Sequence, residues 1–145
     1  MADDTGYYSI RFGADPVQLA FFRAGLDRWL HGLAWPEEAR VDAILAVSEA
    51  CTNAVKHAYA GAVPGDVEVV GRLVAGPSSR QVVVTVRDEG VWRPDQGATG
   101  YGMSVMKGCM DKVSIHRDDS GTTVTLVSAS VPLPGAAAEG YAAAE

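Results

Sequence analysis

The spacing of hydrophobic positions predicts the first secondary-structure elements of this chain. Tyr8, Ile10 and Phe12 alternate with polar residues, which is the period of a half-buried strand. From Asp15 onward apolar residues recur every three or four positions, which predicts an amphipathic helix with Asp15 as N-cap and Pro16 as its first residue. The apolar positions of this helix are Leu19, Phe22, Leu26, Trp29, Leu30 and Leu33.

A second helix is predicted from Pro36-Glu37-Glu38 to about Ala58, because two carboxylates suit the positive end of a helix dipole. Within it, the run EACTNAVKH places Glu49, Asn53 and His57 four residues apart, so that they form one polar stripe. The stripe lies along one edge of a predicted apolar arc and is either a solvated face or the wall of a cleft. The arc contains Val41, Ile44, Leu45, Cys51 and Val55, with Ser48 and Thr52.

The second half of the chain contains several β-branched runs. VEVVGRLVA and QVVVTVRD, joined by GPSSR, predict a hairpin, and KVSIHR and TTVTLVSAS predict two strands joined by a turn at DDSG. Between these pairs, EGVWRPDQGATGYG predicts an irregular loop and MSVMKGCM a short helix. This order predicts an α/β fold, a two-layer sandwich of a mixed, mostly antiparallel sheet with helices on one face.

Length and composition limit the classes of protein that fit. The 145 residues suit one domain, which we place over residues 1–133, followed by an Ala-rich tail over 134–145 that we expect to be disordered. Eighteen acidic against twelve basic residues give a net charge of −6, which disfavours direct binding of nucleic acid. No apolar run approaches the roughly 18 residues of a membrane span. We therefore expect a cytoplasmic protein without membrane contact.

The cysteines and histidines form no recognised metal or redox motif. Cys51 and Cys109 are far apart, so their spacing matches neither a CxxC pair nor a zinc site, and we expect buried free thiols. The three histidines are also dispersed, and no HExxH sequence occurs.

Two further features suggest ligand chemistry. Asp88 ends an apolar strand just before Gly90, and a carboxylate there suits a ligand that donates a hydrogen bond, such as the exocyclic amine of adenine. An ordinary turn aspartate is the alternative reading. Gly97, Gly100 and Gly102 lead into a helix whose first amides are suited to phosphate oxygens, although a flexible loop has the same composition.

In this order, the features resemble the GHKL ATPases, the superfamily of gyrase B subunits, Hsp90, histidine kinases and MutL. Within that superfamily, the chain is most similar to the small anti-sigma-factor serine kinases of the RsbW and SpoIIAB group. The resemblance extends from Tyr8 to Val131 and implies a Bergerat-type ATP-binding fold. It rests on EACTNAVKHAY, on DEG, and on GYGMSVMKGCMDKVSI followed by GTTVTL.

The resemblance implies roles for the helical stripe. Asn53 would hold the Mg²⁺ that bridges the phosphates of ATP, and Glu49 would be the general base that receives the hydroxyl proton of a protein substrate. Lys56 and His57 would line the same end of the cleft without an assigned role.

The resemblance also implies how the nucleotide is held. Asp88 would bind the adenine amine, aided through water by Thr122 or Thr123, and Gly90 would let the adenine approach. The phosphates would lie in a cradle made by Gly100 and Gly102 with the amides of Met103 and Ser104.

By this resemblance the protein is a Mg-ATP-dependent serine/threonine protein kinase and an anti-sigma factor. It would sequester an alternative sigma factor, phosphorylate a STAS-type anti-anti-sigma protein and form a homodimer. Two departures favour a second hypothesis, a catalytically weak ATP-binding module that acts by stoichiometric partner binding. Trp92 stands near the usual second glycine of the first glycine box, and Ala98-Thr99 stand where many such kinases carry a basic residue. Arg93 and Lys107 are the candidate substitutes for that basic residue.

Overall fold

The protein is a two-layer α/β sandwich in a computed structural model that describes residues 6–13, 15–58, 65–90 and 100–134. Its strands form one sheet in the order β1-β2-β3-β5-β4, with β6 paired to β3, and all of the described pairings are antiparallel. The elements are β1 (Tyr7–Gly13), α1 (Pro16–Gly32), α2 (Glu37–Asn53), β2 (Asp66–Ala75), β3 (Ser79–Asp88), α3 (Gly100–Cys109), β4 (Lys112–Asp118), β5 (Gly121–Val127) and β6 (Val131–Pro132).

The first strand and helix form as predicted. The side chain of Asp15 accepts a 2.9 Å hydrogen bond from the amide of Val17, which caps α1 in front of its first residue, Pro16. One face of β1 packs on α1, where the rings of Phe12 and Phe22 stack with their centroids 5.8 Å apart. The apolar positions predicted for α1 are buried apart from Trp29, which is partly buried.

The predicted apolar arc of α2 is wrong in part. Val41 and Leu45 are 55% and 46% exposed, whereas the buried side of the helix is formed mainly by small residues, Ala43, Ala46, Val47, Ala50 and Cys51. Small side chains let a helix approach its neighbours closely, so they take the core positions and leave the larger ones outside. The core-facing side is therefore rotated relative to the predicted arc, and it includes Asn53.

The central strand β3 alternates strictly between the two faces of the sheet. Its helix-covered side begins with Arg80, continues with three buried valines and ends with Asp88. The guanidinium of Arg80 donates hydrogen bonds to the carbonyls of Leu33 (2.6 Å) and Ala34 (3.1 Å) and lies 4.8 Å from the centre of the Trp35 ring. Arg80 thus fastens the α1–α2 connection to the sheet.

Several boundaries differ from the sequence prediction. Helix α3 begins at Gly100, three residues before the predicted MSVMKGCM segment, and β5 ends at Val127 although the TTVTLVSAS run continues to Ser130. The short strand β6 was not predicted. The predicted hairpin of β2 and β3 is confirmed, whereas the loop over 91–99 and the tail over 135–145 lie outside the described residues.

The cysteines are free, Cys51 is buried and Cys109 is half-buried. Burial raises the pKa of the Cys51 thiol well above its usual range. None of the helices in the described ranges combines the length and apolar character that a membrane span requires.

Candidate functional site

The end of α2 carries a buried amide next to a half-buried carboxylate. Asn53 is 6% exposed, and its Nδ2 atom makes no hydrogen bond to any residue that the structure describes. A buried amide with an unmet hydrogen bond costs about 1–3 kcal/mol, so such a group is expected to serve a ligand. Glu49 lies one helical turn earlier and is half-buried. The two described members of the stripe, Glu49 and Asn53, therefore do not lie on a fully solvated helix face.

The helix widens immediately after Asn53. Residues Ala54–Ala58 form a π-helical segment, a rare conformation that is frequent at functional sites. The segment contacts β3, so the end of α2 lies beside the strand that carries Asp88. Lys56 is exposed here, and the side chain of His57 lies outside the described part of the structure.

Asp88 lies where the sequence places it, at the end of β3 on the helix-covered face. It is 2% exposed, and its Oδ1 atom accepts a 3.1 Å hydrogen bond from the amide of Gly90. This bond forms a local turn that fixes the orientation of the carboxylate while the backbone leaves the sheet. The turn interpretation and the ligand interpretation of Asp88 are therefore compatible, since the same carboxylate lies in the buried row of β3.

The structure separates the two threonines that the sequence left as alternatives. Asp88 is the register partner of Thr122, which is 2% exposed and lies on the same face of the sheet. Thr123 points to the opposite face, where its Oγ1 atom accepts a 2.9 Å hydrogen bond from Arg87. Thr122 is thus brought together with Asp88, and Thr123 is not.

Gly121 is a site residue that the sequence reasoning missed. Its φ of 140° lies in the left-handed region, and a β-carbon at this position would overlap the carbonyl oxygen of Asp88 and come within 2.8 Å of the Cα atom of Glu89. Only glycine allows β5 to begin so close to the peptide after Asp88. The signal in the sequence was the glycine in SGTT, at the start of a β-branched strand.

Gly100 and Gly102 lie in the first turn of α3 rather than in a preceding loop, and Gly97 lies outside the described residues. Gly102 is buried, Met103 packs partly into the core, and Ser104 is exposed. The amide of Ser104 is four residues after Gly100, so the helix itself supplies an acceptor for it. The amides of the first turn of α3, which lack acceptors within the helix, and the helix dipole are suited to binding an anion.

The C-terminal end of α3 packs against the first half of α2, and an antiparallel course along α2 would bring the start of α3 toward Asn53. The last residue of α3, Cys109, lies beside Asp42 in the first half of α2, and the two helices pack against each other. Burial and the neighbouring carboxylate of Asp42 raise the pKa of Cys109. Lys107 is at the far end of α3, about 10 Å along the helix from Gly100. The structure thus does not bring Lys107 to the glycines, and Trp92, Arg93, Ala98 and Thr99 lie outside the described residues.

The residues present are compatible with binding of a magnesium nucleotide. Within the described ranges no group of three or more His, Cys, Asp and Glu side chains could hold a metal. Mg²⁺ usually keeps several waters and is bound by one or two protein oxygens together with substrate phosphates. The buried amide of Asn53 and the helix start of α3 are compatible with that form of binding.

A groove of about 380 Å³ adjoins Glu49 on the outer side of the helices. Val41 and Leu45 supply exposed apolar surface to it, and the Nε atom of Arg23 donates a 3.2 Å hydrogen bond to Ser48 Oγ at its edge. Its lining residues are Arg23, Val41, Ile44, Leu45, Ser48, Glu49 and Thr52. Exposed apolar surface with an arginine is a feature of protein-binding surfaces.

Comparison with known proteins agrees with this arrangement. Residues 12–128 match the family model of the histidine kinase-like ATPase domain. The chain is 28% identical over 142 residues to the serine-protein kinase RsbW of Bacillus velezensis, covering 87% of each chain. It is 28% identical to the anti-sigma F factor of Bacillus thuringiensis, over 81% of this chain and 88% of that protein.

A solved structure shows the same fold. The crystal structure of the RsbU and RsbW domains of Rv1364c from Mycobacterium tuberculosis superposes on 87% of this chain with a TM-score of 0.70 and 26% sequence identity. The match spans 33% of that longer chain. The resemblance and the fold class inferred from the sequence are confirmed by these matches.

Proposed function

The chain belongs to the histidine kinase-like ATPase domain family, and we propose that it is a Mg-ATP-dependent serine/threonine protein kinase that also acts as an anti-sigma factor. The observation that carries the proposal is the pairing of the buried, incompletely bonded amide of Asn53 with the buried carboxylate of Asp88 in neighbouring elements. The names of the relatives, a serine-protein kinase and an anti-sigma factor, support it.

In this proposal, the sheet holds the adenine and the helices hold the phosphates. The Asp88 carboxylate, oriented by the Gly90 amide, accepts a hydrogen bond from the adenine amine, with Thr122 beside it. Gly90 leaves room for the base. The first turn of α3 would hold the phosphates, since the helix dipole there favours negative charge.

The catalytic chemistry requires few protein groups. When bound, Mg-ATP supplies the phosphoryl group and the metal charge that stabilises its transfer. The side-chain oxygen of Asn53 would hold the metal, and Glu49, one turn earlier on α2, would take up the proton of the acceptor hydroxyl. Both groups project from one rigid helix, so their relative position is set by the helical repeat.

The groove beside Glu49 supports a protein rather than a small molecule as phosphoryl acceptor. Its exposed apolar residues and Arg23 form a surface that leads to the proposed base. We propose that the acceptor is a serine or threonine of a STAS-type anti-anti-sigma protein, and that an alternative sigma factor is the sequestered partner. A homodimer and a cytoplasmic location are part of the same proposal.

One observation favours a second candidate function, a catalytically weak ATP-binding module that binds its partner stoichiometrically. Lys107, one of the two basic residues considered as substitutes near the phosphates, lies at the far end of α3.

Phosphoryl transfer separates the two candidates. The protein is incubated with Mg²⁺, [γ-³²P]ATP and candidate STAS-domain proteins of the same organism, with the Glu49→Gln variant as control. Label on a serine or threonine of one STAS protein, lost with Glu49→Gln, supports the kinase. ATP binding without label on any STAS protein, together with a stable complex with a sigma factor, supports the binding module instead.

A further inference from the structure

A hydrogen-bonded cluster lies on the face of the sheet opposite the described helices, behind the proposed adenine site. The Arg87 guanidinium donates a 2.9 Å bond from Nη1 to Thr123 Oγ1. Its Nη2 atom donates to Ser120, at 3.0 Å from the hydroxyl oxygen and 3.3 Å from the carbonyl oxygen. A single side chain of β3 therefore holds both the start of β5 and the β4–β5 turn.

The turn held by Arg87 is also ordered internally. Asp118 Oδ1 accepts hydrogen bonds from the Ser120 amide (2.8 Å) and hydroxyl (2.6 Å), and these bonds lower the pKa of Asp118. His116 Nε2 lies 3.4 Å from the other oxygen of the same carboxylate. Ser120 thus joins Asp118 to Arg87, and the turn has a defined position relative to β3.

The residue after Ser120 is Gly121, which packs directly on the peptide that follows Asp88. No side chain separates the turn from the end of β3, so a shift of the turn changes the space available to that peptide. The same end of β3 carries the hydrogen bond from the Gly90 amide to Asp88 Oδ1.

We propose that Arg87 is a positioning residue for Asp88, acting through the β4–β5 turn and Gly121. Arg87 and Asp88 are consecutive residues of a strand, so their side chains point to opposite faces and cannot touch. The guanidinium sets the orientation of the carboxylate indirectly, because it keeps Gly121 against the Asp88 peptide. The consequence for nucleotide affinity rests on the proposed function, whereas the orientation of Asp88 does not.

The Gly90 amide provides a readout that needs no nucleotide. Its hydrogen exchange and proton chemical shift, measured by NMR in the ligand-free protein, report the bond to Asp88 Oδ1, and Asp88→Ala defines complete loss of that bond. In Arg87→Met, we expect Gly90 exchange to rise about 2- to 30-fold, the range of typical coupling effects. The matched control is Arg72→Met, an exposed arginine of β2 on the same face of the sheet, for which we expect no change.

Calorimetry of Mg-ATP binding provides the second readout. We expect Arg87→Met to raise the dissociation constant of Mg-ATP by about 2- to 30-fold and Arg72→Met to leave it unchanged. Arg87→Lys can reach Ser120 or Thr123 but not span both, so its effects on exchange and affinity should be intermediate. This graded rescue distinguishes positioning from a general loss of stability, and Arg87→Lys replaces Arg87→Met if the latter does not fold.

An Arg87 variant with wild-type Gly90 exchange overturns the proposal, as does one with wild-type nucleotide affinity. If the wild-type protein itself binds no adenine nucleotide, the proposed function fails, and the Gly90 measurement alone then decides whether Arg87 positions Asp88.

Discussion

Asp88 and Thr122 are register partners in neighbouring strands, and both side chains are buried on the helix-covered face of the sheet. The next residue, Thr123, faces the other way and bonds to Arg87. Because side chains alternate along β5, only Thr122 lies beside Asp88, although the two threonines are adjacent in sequence and chemically identical.

This pairing predicts unequal effects of two identical substitutions. Thr122→Val, which keeps the side-chain shape but removes the hydroxyl, should weaken Mg-ATP binding by roughly 2- to 10-fold, the usual value of one hydrogen bond. Thr123→Val should have a smaller effect on affinity, since its hydroxyl faces away from Asp88. Calorimetric titration of both variants checks this, and a larger loss with Thr123→Val would contradict the assignment.

Removal of the Asn53 amide should abolish nucleotide binding and leave the stability of the fold nearly unchanged. Because the buried Nδ2 atom lacks a partner among the described residues, Asn53→Ala should change the free energy of unfolding by less than about 1 kcal/mol. The same variant should lose Mg-dependent nucleotide binding, since the metal loses a protein oxygen. Urea unfolding and nucleotide titration with Mg²⁺ or with EDTA measure the two effects. A severely destabilised variant would mean that Asn53 is structural.

Glu49 should be needed for transfer and not for binding. Glu49→Gln keeps the size of the side chain and removes its basicity, so phosphoryl transfer should fall by about 10²–10⁴-fold at unchanged nucleotide affinity. Glu38→Gln, an exposed glutamate in the first turn of the same helix, is the matched control and should transfer normally. Equal activity of the two variants would exclude Glu49 as the base.

The hydrogen bonds from Arg80 to the α1–α2 connection should stabilise the whole domain. Arg80→Met leaves the carbonyls of Leu33 and Ala34 without their donor, so we expect a loss of about 2–4 kcal/mol and a melting temperature lowered by roughly 4–16 °C. Arg72→Met, on an exposed position of β2, should change stability by less than about 0.5 kcal/mol. Comparable melting temperatures of the two variants would show that the hydrogen bonds of Arg80 contribute little to stability.

The sequence predicted the strand and helix order because the apolar periods of β1 and α1 are regular and the later strands are β-branched runs. It failed for α2, where alanines rather than the larger residues Val41 and Leu45 form the core side. Hydrophobic pattern ranks residues by size and polarity, whereas close packing between helices favours small ones. The start of α3 was also placed too late, since glycines indicate a loop unless tertiary contacts hold them in a helix.

The candidate site was predictable in its residue types but not in its orientations. Asn53, Glu49 and Asp88 were found from spacing and from the resemblance to a known family. The choice of Thr122 over Thr123, the role of Gly121 and the link through Arg87 depend on strand register and on contacts across 30 or more residues of sequence. Such contacts leave no local pattern in a single sequence.

A thermal-shift titration with ATP, ADP and GTP, each with and without Mg²⁺, tests the central claim most directly. A ligand at 100 times its dissociation constant stabilises the folded protein by about 2.7 kcal/mol. For a domain of this size the melting temperature should then rise by roughly 5–11 °C. We predict this rise with Mg-ATP and Mg-ADP, little with GTP, and its loss in Asp88→Asn. No rise with ATP, or an equal rise with GTP, would contradict the assignment of an adenine nucleotide site to Asn53 and Asp88.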